Sequence, residues 1–198
     1  MVVQPVAGGR KKPDRRERKM PKSRQLKAGD TAPDFSAEDV RGETFQLSSF
    51  KGEKQVVLVF LRYAGCPLCQ LAMAELKNRY TEFTDRGAEV AVFVQSPSAT
   101  LFEQGAADFP FHVIPDPGEK YYKLYGVGSG NIFDIVHPDV IRKGLKATVK
   151  GHMQGKMEGN TWQLPGDFIV DTEGVLKLAR IGDNVGDHLG AGELLAHL

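Results

Sequence analysis

Two cysteines separated by two residues, Cys66-Pro67-Leu68-Cys69, lie between a strand-like and a helix-like segment, and the chain has no others. The preceding run, 55–61, is continuously apolar and rich in β-branched residues, which is typical of a strand buried on both faces. Apolar residues from Leu68 to Tyr80 repeat with a helical period. We therefore expect both thiols at a helix N-terminus, where unpaired backbone N–H groups and the helix dipole stabilise a thiolate.

The thiolate is the reactive form of cysteine, so this position predicts redox chemistry. Two other interpretations are an inert packing pair and half of a zinc site. A structural zinc ion normally needs four ligands, and the five histidines are scattered along the sequence. In a reducing compartment, a close cysteine pair is more typical of catalysis than of a structural disulfide. The sequence favours a redox-active disulfide between Cys66 and Cys69, with no further cofactor or metal.

Strand and helix patterns alternate along the rest of the chain. The predicted strands are 44–47, 55–61, 88–94, 111–114, 167–171 and 175–180. The predicted helices are 68–86, a segment with Ser96 as its cap and Pro97 as its first residue, 119–125, 137–149 and 192–198. This order predicts an α/β fold in which helices flank a central mixed sheet. A glycine-rich stretch, 151–159, is expected to be a loop long enough to act as a lid or an insertion.

The first 24 residues differ from the rest in charge. They hold nine Lys and Arg against two acidic residues, a net charge of +7, which leaves the remaining chain at −6. Almost no apolar residue follows Val6, so this segment cannot bury enough surface to offset the entropy of ordering. We expect 1–24 to be a disordered basic tail and 25–198 to form one domain. A solvated extension is favoured over an arm for nucleic acid or an anionic membrane.

The sequence shows neither a secretory signal nor a membrane span, so a cytoplasmic location is the default expectation. The basic tail lacks the apolar region of a secretory signal. No apolar run approaches the roughly 18–20 residues of a membrane span. We therefore expect a cytoplasmic protein with neither a membrane nor a nucleic acid as its partner.

Three motifs in this sequence occur together in one known family. The segment 60–69 is Phe-Leu-Arg-Tyr-Ala-Gly-Cys-Pro-Leu-Cys, 29–35 is Gly-Asp-Thr-Ala-Pro-Asp-Phe, and 166–171 is Gly-Asp-Phe-Ile-Val-Asp. Together they resemble the AhpC/TSA family (alkyl hydroperoxide reductase and thiol-specific antioxidant), and the first resembles its peroxiredoxin-like branch. The resemblance covers residues 26–198. It implies a thioredoxin-like fold and a thiol-dependent antioxidant oxidoreductase.

The resemblance leaves the roles of the two thiols open. The P-x-x-x-T-x-x-C loop of peroxiredoxins puts Cys69 at the peroxidatic position, Cys66 at the Thr and Arg62 at the Pro. The thioredoxin pattern instead makes Cys66 the nucleophile. Thioredoxins also have a cis-proline facing the cysteines, and Leu164-Pro165 occupies that slot, which makes this bond a candidate for the cis conformation.

Further residues could support the site. Arg62 could lower the pKa of a thiol through its charge, or it could point outward. Pro67 suits the first turn of a helix, where its missing N–H is not needed. Tyr63 could bind a substrate or pack in the wall of the site, and Trp162 could flank the site or belong to the core.

The sequence predicts a thiol–disulfide oxidoreductase of peroxiredoxin-like type. The resemblance implies oxidation by a hydroperoxide or a disulfide substrate, reduction by thioredoxin or glutathione, and a homodimer as one option. One alternative is a hydroperoxide reductase with Cys69 peroxidatic and Cys66 resolving. Another is a redox-sensing interaction module that uses the basic tail as its binding arm.

Overall fold

The computed structural model describes residues 25–130 and 138–198, so the predicted tail and the predicted helix start at His137 lie outside the described residues. The strands are β1 Ser36–Glu38, β2 Thr44–Gln46, β3 Gln55–Phe60, β4 Ala88–Val94, β5 His112–Pro115, β6 Gly166–Val170 and β7 Leu176–Ile181. The helices are α1 Pro67–Asn78, α2 Tyr80–Asp85, α3 Ser98–Glu103, α4 Lys120–Tyr125, α5 Pro138–Val149 and α6 Ala191–Ala196.

Five of the strands form one mixed sheet in the order β5-β4-β3-β6-β7. The neighbouring pairs β3–β4 and β4–β5 are parallel, whereas β6 is antiparallel to both β3 and β7. The strands β1 and β2 form a separate antiparallel pair. The predicted α/β architecture, a central mixed sheet flanked by helices, is confirmed.

The central strand β3 separates two cores, because successive side chains of a strand point to opposite faces of the sheet. Val57 and Val59 belong to the core beneath α1, whereas Leu58 and Phe60 belong to the core beneath α4. Phe60 stacks on Phe93 of β4 with ring centroids 4.4 Å apart. Burial on both faces explains why the sequence of β3 is a continuous apolar run.

Helix α4 closes the second core and supports the end of β3. The buried hydroxyl of Tyr122 donates to the carbonyl oxygen of Phe93 at 2.9 Å and also contacts that of Leu61. The hydroxyl of Tyr125 donates to the carbonyl oxygen of Pro33 at 2.8 Å. These bonds satisfy buried polar groups and hold the chain just before the cysteines in place.

Two predicted elements were wrong in their bounds, and one strand was not predicted. The predicted helix 68–86 is interrupted at Arg79, and this break lets the hydroxyl of Tyr80 donate to the Glu89 carboxylate on β4 at 2.6 Å. The short strand β1 was not predicted, because its pairing with β2 gives it a structure that its turn-rich sequence does not indicate. Helix α3 begins at Ser98, and Ser96 is not its cap because its hydroxyl is bonded elsewhere.

Candidate active site

The two cysteines lie where β3 passes into α1, at the carboxyl end of the central strands. The backbone of Arg62 still continues the pairing of β3 with β4, because its carbonyl oxygen accepts from the N–H of Gln95 at 2.8 Å. Cys66 is the N-cap of α1 and Pro67 is its first residue, as predicted. Both cysteines are free thiols and both are buried, with exposed fractions of 0% for Cys66 and 3% for Cys69.

The sulfur of Cys66 accepts hydrogen bonds from Arg62 and from both the thiol and the backbone N–H of Cys69. The Arg62 guanidinium donates to Sγ from Nη2 at 3.0 Å, and the backbone N–H of Cys69 donates to it at 3.4 Å. Burial by itself would raise the pKa of the Cys66 thiol. The hydrogen bonds from Cys69 and the charge of Arg62 outweigh that effect and lower the pKa to about 6. Cys66 is therefore mostly a thiolate at neutral pH.

Cys69 has the opposite properties. It lies inside the first turn of α1, and burial together with its hydrogen bond to Cys66 raises the pKa of its thiol. A protonated thiol beside a thiolate is the arrangement that thiol–disulfide exchange requires, since the thiolate attacks first and the second thiol resolves. The two thiols, whose order of attack the sequence left open, thus differ in the direction of their pKa shifts.

Arg62 points inward, toward the sulfur. Its Nη1 donates to the carbonyl oxygen of Thr161 at 3.1 Å, and its Nε makes no hydrogen bond within the described part of the chain. A buried guanidinium is costly unless an opposite charge lies near it. The Cys66 thiolate supplies that charge, so Arg62 and Cys66 stabilise each other in their charged forms.

Residues 152–162, here called the strap, cover the cysteine loop. The N–H of Gly155 donates to the carbonyl oxygen of Gly65 at 2.8 Å, and the Nε2 of Gln154 donates to the hydroxyl of Tyr63 at 3.3 Å. The two backbones approach so closely that a Cβ added to Gly65 would lie 2.5 Å from the carbonyl oxygen of Lys156. The strap includes most of the glycine-rich stretch that the sequence marked as a lid or an insertion.

Polar residues just after β4 hold both the strap and the cysteine loop. The side chain of Gln95 accepts from the N–H of Asn160 at 2.9 Å and donates to the side chain of Gln163 at 3.0 Å. The hydroxyl of Ser96 accepts from the N–H of Ala64 at 2.9 Å. Gln95 was not predicted to be a site residue, and the prediction that Ser96 caps a helix was wrong. Their position after a buried parallel strand was the available signal, because such strand ends meet at one edge.

The other candidate residues take different positions. Tyr63 is buried and lies 5.5 Å from the Arg62 guanidinium, measured to its ring centroid. Trp162 is 37% exposed at the end of the strap, and its proposed role beside the thiols stays a prediction. Pro165 leads into β6, where its carbonyl oxygen accepts from the N–H of Gly182 at 2.9 Å. The Leu164–Pro165 bond is trans, so the suggested cis bond was wrong.

A physical reason for the trans bond lies in the local hydrogen bonds. The N–H of Leu164 donates to the carbonyl oxygen of Gly128 at 3.1 Å, just before the chain enters β6. The chain here runs straight into a strand, and nothing offsets the ordinary preference of an X–Pro bond for trans. The strap covers the cysteine loop through the contact of Gly155 with Gly65.

One acidic cluster lies apart from the thiols. Donor atoms of Asp39, Glu43 and His112 lie within 4.8 Å of one another. The Asp39 carboxylate already accepts from Nη2 of Arg41 at 2.7 Å and is paired with Nδ1 of His112 at 2.9 Å. The Arg41 guanidinium therefore takes the place that a metal ion would need, and the cluster is an ion-pair network.

Replacing Gly65 with alanine is expected to make Cys66 more accessible. The new Cβ would meet the Lys156 carbonyl at 2.5 Å, so the strap must move away from the cysteine loop. We expect iodoacetamide to alkylate Cys66 on the order of tenfold faster at pH 8, where the thiolate already predominates and only access changes. Gly118→Ala is the matched control, because a Cβ there meets nothing within 4 Å. Equal alkylation rates in the two variants would show that the strap does not limit access.

Comparison with known proteins agrees with this fold and site. The AhpC/TSA family model matches residues 28–179. The peroxidoxin BcpB from Mycobacterium tuberculosis superposes with a TM-score of 0.63 and 20% identity, over 87% of this chain and 96% of that one. The reduced 2-Cys peroxiredoxin of Plasmodium vivax gives a TM-score of 0.62 with 16% identity, over 86% and 79%. These structures show a shared thioredoxin-like fold.

Three relatives resemble the chain in sequence. The prostamide/prostaglandin F synthase of Salmo salar is 29% identical over 147 residues, which are 74% of this chain and 70% of that protein. Alkyl hydroperoxide reductase E of Mycobacterium tuberculosis is 31% identical over 105 residues, 52% of this chain and 69% of that protein. The thiol-disulfide oxidoreductase ResA of Halalkalibacterium halodurans is 30% identical over 107 residues, 51% and 57% respectively.

A thioredoxin-like domain with a cysteine of lowered pKa and a partner thiol of raised pKa at one helix N-terminus defines a thiol-dependent oxidoreductase. The chain belongs to the AhpC/TSA family, as the resemblance predicted. Its CxxC pair and its relatives among peroxiredoxins and thiol-disulfide oxidoreductases agree with that class. In the part of the chain that the structure describes, each helix is too short or too polar to cross a bilayer.

Proposed function

We propose that the protein carries out thiol–disulfide exchange with Cys66 as the nucleophile and Cys69 as the resolving thiol. The observation that carries this proposal is the pair of N–H donors to the Cys66 sulfur, from Arg62 and from the Cys69 backbone. Both stabilise the anion, whereas burial keeps Cys69 protonated. This is the order of attack in the thioredoxin pattern, and it reverses the order in the peroxiredoxin alignment.

In the first step, the Cys66 thiolate attacks one sulfur of a substrate disulfide. A bond forms between Cys66 and that sulfur, and the other substrate sulfur leaves as a thiolate. In the second step, Cys69 loses its proton and attacks Cys66. The Cys66–Cys69 disulfide forms and the substrate leaves as its second thiolate. The protein has then lost two electrons and the substrate has gained them, so a redox-active disulfide is the only cofactor this cycle uses.

Reduction of a hydroperoxide is the second candidate, favoured by the similarity to alkyl hydroperoxide reductase E. The same thiolate would attack the terminal peroxide oxygen and release an alcohol or water. Cys66 would become a sulfenic acid, and the Cys69 thiol would displace water from it to form the same disulfide. In this proposal the sulfenic acid forms on Cys66, because its thiol and not that of Cys69 is ionised.

A thiol reductant must restore the dithiol in either cycle. The peroxiredoxin relatives imply such a reductant, and we propose thioredoxin or glutathione, both of which exchange through a mixed disulfide. A homodimer is compatible with the family and is part of the same proposal. The cytoplasmic location stays a prediction, as does the alternative of a redox-sensing module.

Trapping the mixed disulfide tests the proposal. We expect reduced Cys69→Ser to accumulate one glutathione adduct on Cys66 when glutathione disulfide is added, because the resolving thiol is missing. We expect Cys66→Ser to react at least about 100-fold more slowly at pH 7, since its remaining thiol is protonated and buried. Intact mass and peptide mapping give the site and the rate. The Cys66→Ser, Cys69→Ser double variant controls for addition elsewhere.

The same variants test which cysteine is the nucleophile and whether the protein reduces hydroperoxides. A fast adduct on Cys69 in the Cys66→Ser variant would refute our assignment of the nucleophile. Parallel reactions with hydrogen peroxide, with dimedone as the trap, test the second candidate. A sulfenic acid captured on Cys66 of the Cys69→Ser variant would support it. A rate no higher than that of free cysteine with peroxide would exclude it and leave disulfide exchange.

A further inference from the structure

Exposed large apolar side chains are concentrated in one stretch of the described chain. Leu145 and Val149 of α5 are 67% and 81% exposed, although they are the kind of residue that normally fills a core. Among the described residues, eight large apolar side chains are exposed. Six of them lie between residues 141 and 162, and the other two are Phe102 and Leu124. Three of the six, Ile141, Leu145 and Val149, lie on α5 and are here called the α5 face, and the other three, Met153, Met157 and Trp162, lie in the strap.

Three of these residues form a row along α5. Ile141, Leu145 and Val149 are four residues apart, which places them on one side of the helix. The opposite side of α5 packs toward the core through Val140 and the buried Ala147. The row therefore faces solvent because the helix has two apolar sides, of which the domain covers one. Soluble monomers rarely leave a large apolar patch uncovered unless it binds something.

Basic residues are interspersed with the apolar row. Residues 138–158 contain five Lys and Arg against two acidic residues, a net charge of +3, within a domain that is acidic as a whole. The first 24 residues carry a further +7. Two of these cations have partners in the domain, since Lys143 donates to the carbonyl oxygen of Gly186 at 2.8 Å and Lys156 pairs with Glu158 at 3.4 Å. A helix with an apolar side and a surplus of Lys and Arg is typical of segments that lie on a membrane surface, because the apolar side enters the bilayer while the cations remain at the headgroups.

We propose that the α5 face binds the surface of an anionic lipid bilayer. A second copy of the chain fits less well, because a twofold interface would bring two surfaces of like charge together. A nucleic acid would bind the cations but would leave the apolar row uncovered. An anionic bilayer satisfies both the apolar row and the net charge. The bound face adjoins the strap, so the protein would sit with its active-site side toward the lipid. This inference does not depend on the proposed function.

Vesicle sedimentation of the full chain tests the proposal without any measurement of activity. The probes are vesicles of phosphatidylcholine with about 30% phosphatidylglycerol, compared with vesicles of phosphatidylcholine alone. We expect binding to the anionic vesicles only, weakened by high salt because surface charges are screened. Leu145→Gln is expected to lower the affinity about tenfold, since it removes one apolar side chain from the bilayer. Leu124→Gln is the control, because Leu124 is exposed on α4, on the other side of the sheet.

Each outcome supports or overturns the proposal. Binding that Leu145→Gln weakens and Leu124→Gln does not would support it. No sedimentation with anionic vesicles, or equal sedimentation of both variants, would overturn it. Equal binding to neutral vesicles would also overturn it, because the basic residues would then have no part. A dimer in analytical ultracentrifugation that Leu145→Gln dissociates, without vesicle binding, would assign the α5 face to a second copy instead.

Discussion

Replacing Arg62 with methionine is expected to raise the pKa of the Cys66 thiol from about 6 to about 7 or higher. Methionine keeps much of the length of the side chain but removes the charge and the donor that lies 3.0 Å from Sγ. The thiolate fraction at pH 6 should fall from about one half to about one tenth or less. The pH dependence of alkylation at Cys66, followed by mass spectrometry, gives this pKa directly.

The pKa is a better readout than the rate for this variant. Arg62 also donates to the carbonyl oxygen of Thr161, so its loss could loosen the strap and change access to the thiol at every pH. A change in the access of the reagent to Cys66 multiplies the alkylation rate by the same factor at every pH. Loss of the Arg62 charge instead moves the pH at which the rate is half of its maximum. Arg62→Lys should give a smaller rise, because it keeps a positive charge. Arg41→Met, which removes a guanidinium paired with Asp39, should leave the midpoint where it is.

An unmoved midpoint in the Arg62→Met variant would contradict the role of Arg62. The hydrogen bond from the Cys69 N–H and the position at the N-terminus of α1 would then be enough to ionise Cys66. A midpoint that moved equally in Arg41→Met would show a general electrostatic effect in place of a specific contact.

Asp167 is a second buried titratable group, and it lies on β6 beside β3. Its side chain is fully buried, one carboxylate oxygen accepts from the N–H of Leu189 at 2.9 Å, and the other has no hydrogen-bond partner among the described residues. Arg180 approaches it only to 3.6 Å and pairs more closely with Asp187, at 2.6 Å. Burial dominates these contacts and raises the pKa of Asp167 to about 7.

The raised pKa of Asp167 should make the protein less stable as the pH rises. In the unfolded chain Asp167 loses its proton near pH 4, whereas in the folded protein it keeps the proton up to about pH 7. Between these two pH values, ionisation of Asp167 lowers the free energy of the unfolded state but not that of the folded state. The free energy of unfolding should therefore fall across this window, by as much as about 4 kcal/mol from this group alone.

Asp167→Asn removes the ionisation and should flatten this part of the pH profile. We expect the variant to gain stability relative to the wild type as the pH rises from 4 to 8, measured by urea unfolding at each pH. Asp85→Asn, on the exposed surface of α2, is the matched control and should follow the wild type. A stability difference between Asp167→Asn and the wild type that is the same at every pH would show that folding does not raise the pKa of Asp167.

The sequence predicted strands and helices correctly where the local pattern of apolar residues matches the faces that the fold buries. The runs that became β3 and β4 are apolar throughout because both faces of these strands are covered, and this pattern predicted them well. The position of Pro67 at the first turn of α1 followed from proline chemistry alone. The break of the first helix at Arg79 was not predictable in this way, because the bond between Tyr80 and Glu89 joins separate elements.

The strap shows the limit of sequence reasoning more clearly. Its glycine content marked a loop, but a loop has no periodicity from which its position could be deduced. Its place over the thiols depends on the close approach of Gly155 to Gly65, residues that the sequence separates widely. The polar residues Gln95 and Gln163, which hold it, look like ordinary surface residues until the fold buries them.

The sequence by itself determined that two thiols stand at a helix N-terminus after a buried strand, because burial pattern and helix-capping chemistry are local. It also determined the family, through motifs within short segments. Only the tertiary structure decided which thiol is ionised. The direction of the Arg62 side chain depends on the carbonyl of Thr161, 99 residues further along the chain. Folding brings that carbonyl and the Cys66 sulfur to the same guanidinium, which together with the hydrogen bonds from Cys69 lowers the pKa of the Cys66 thiol.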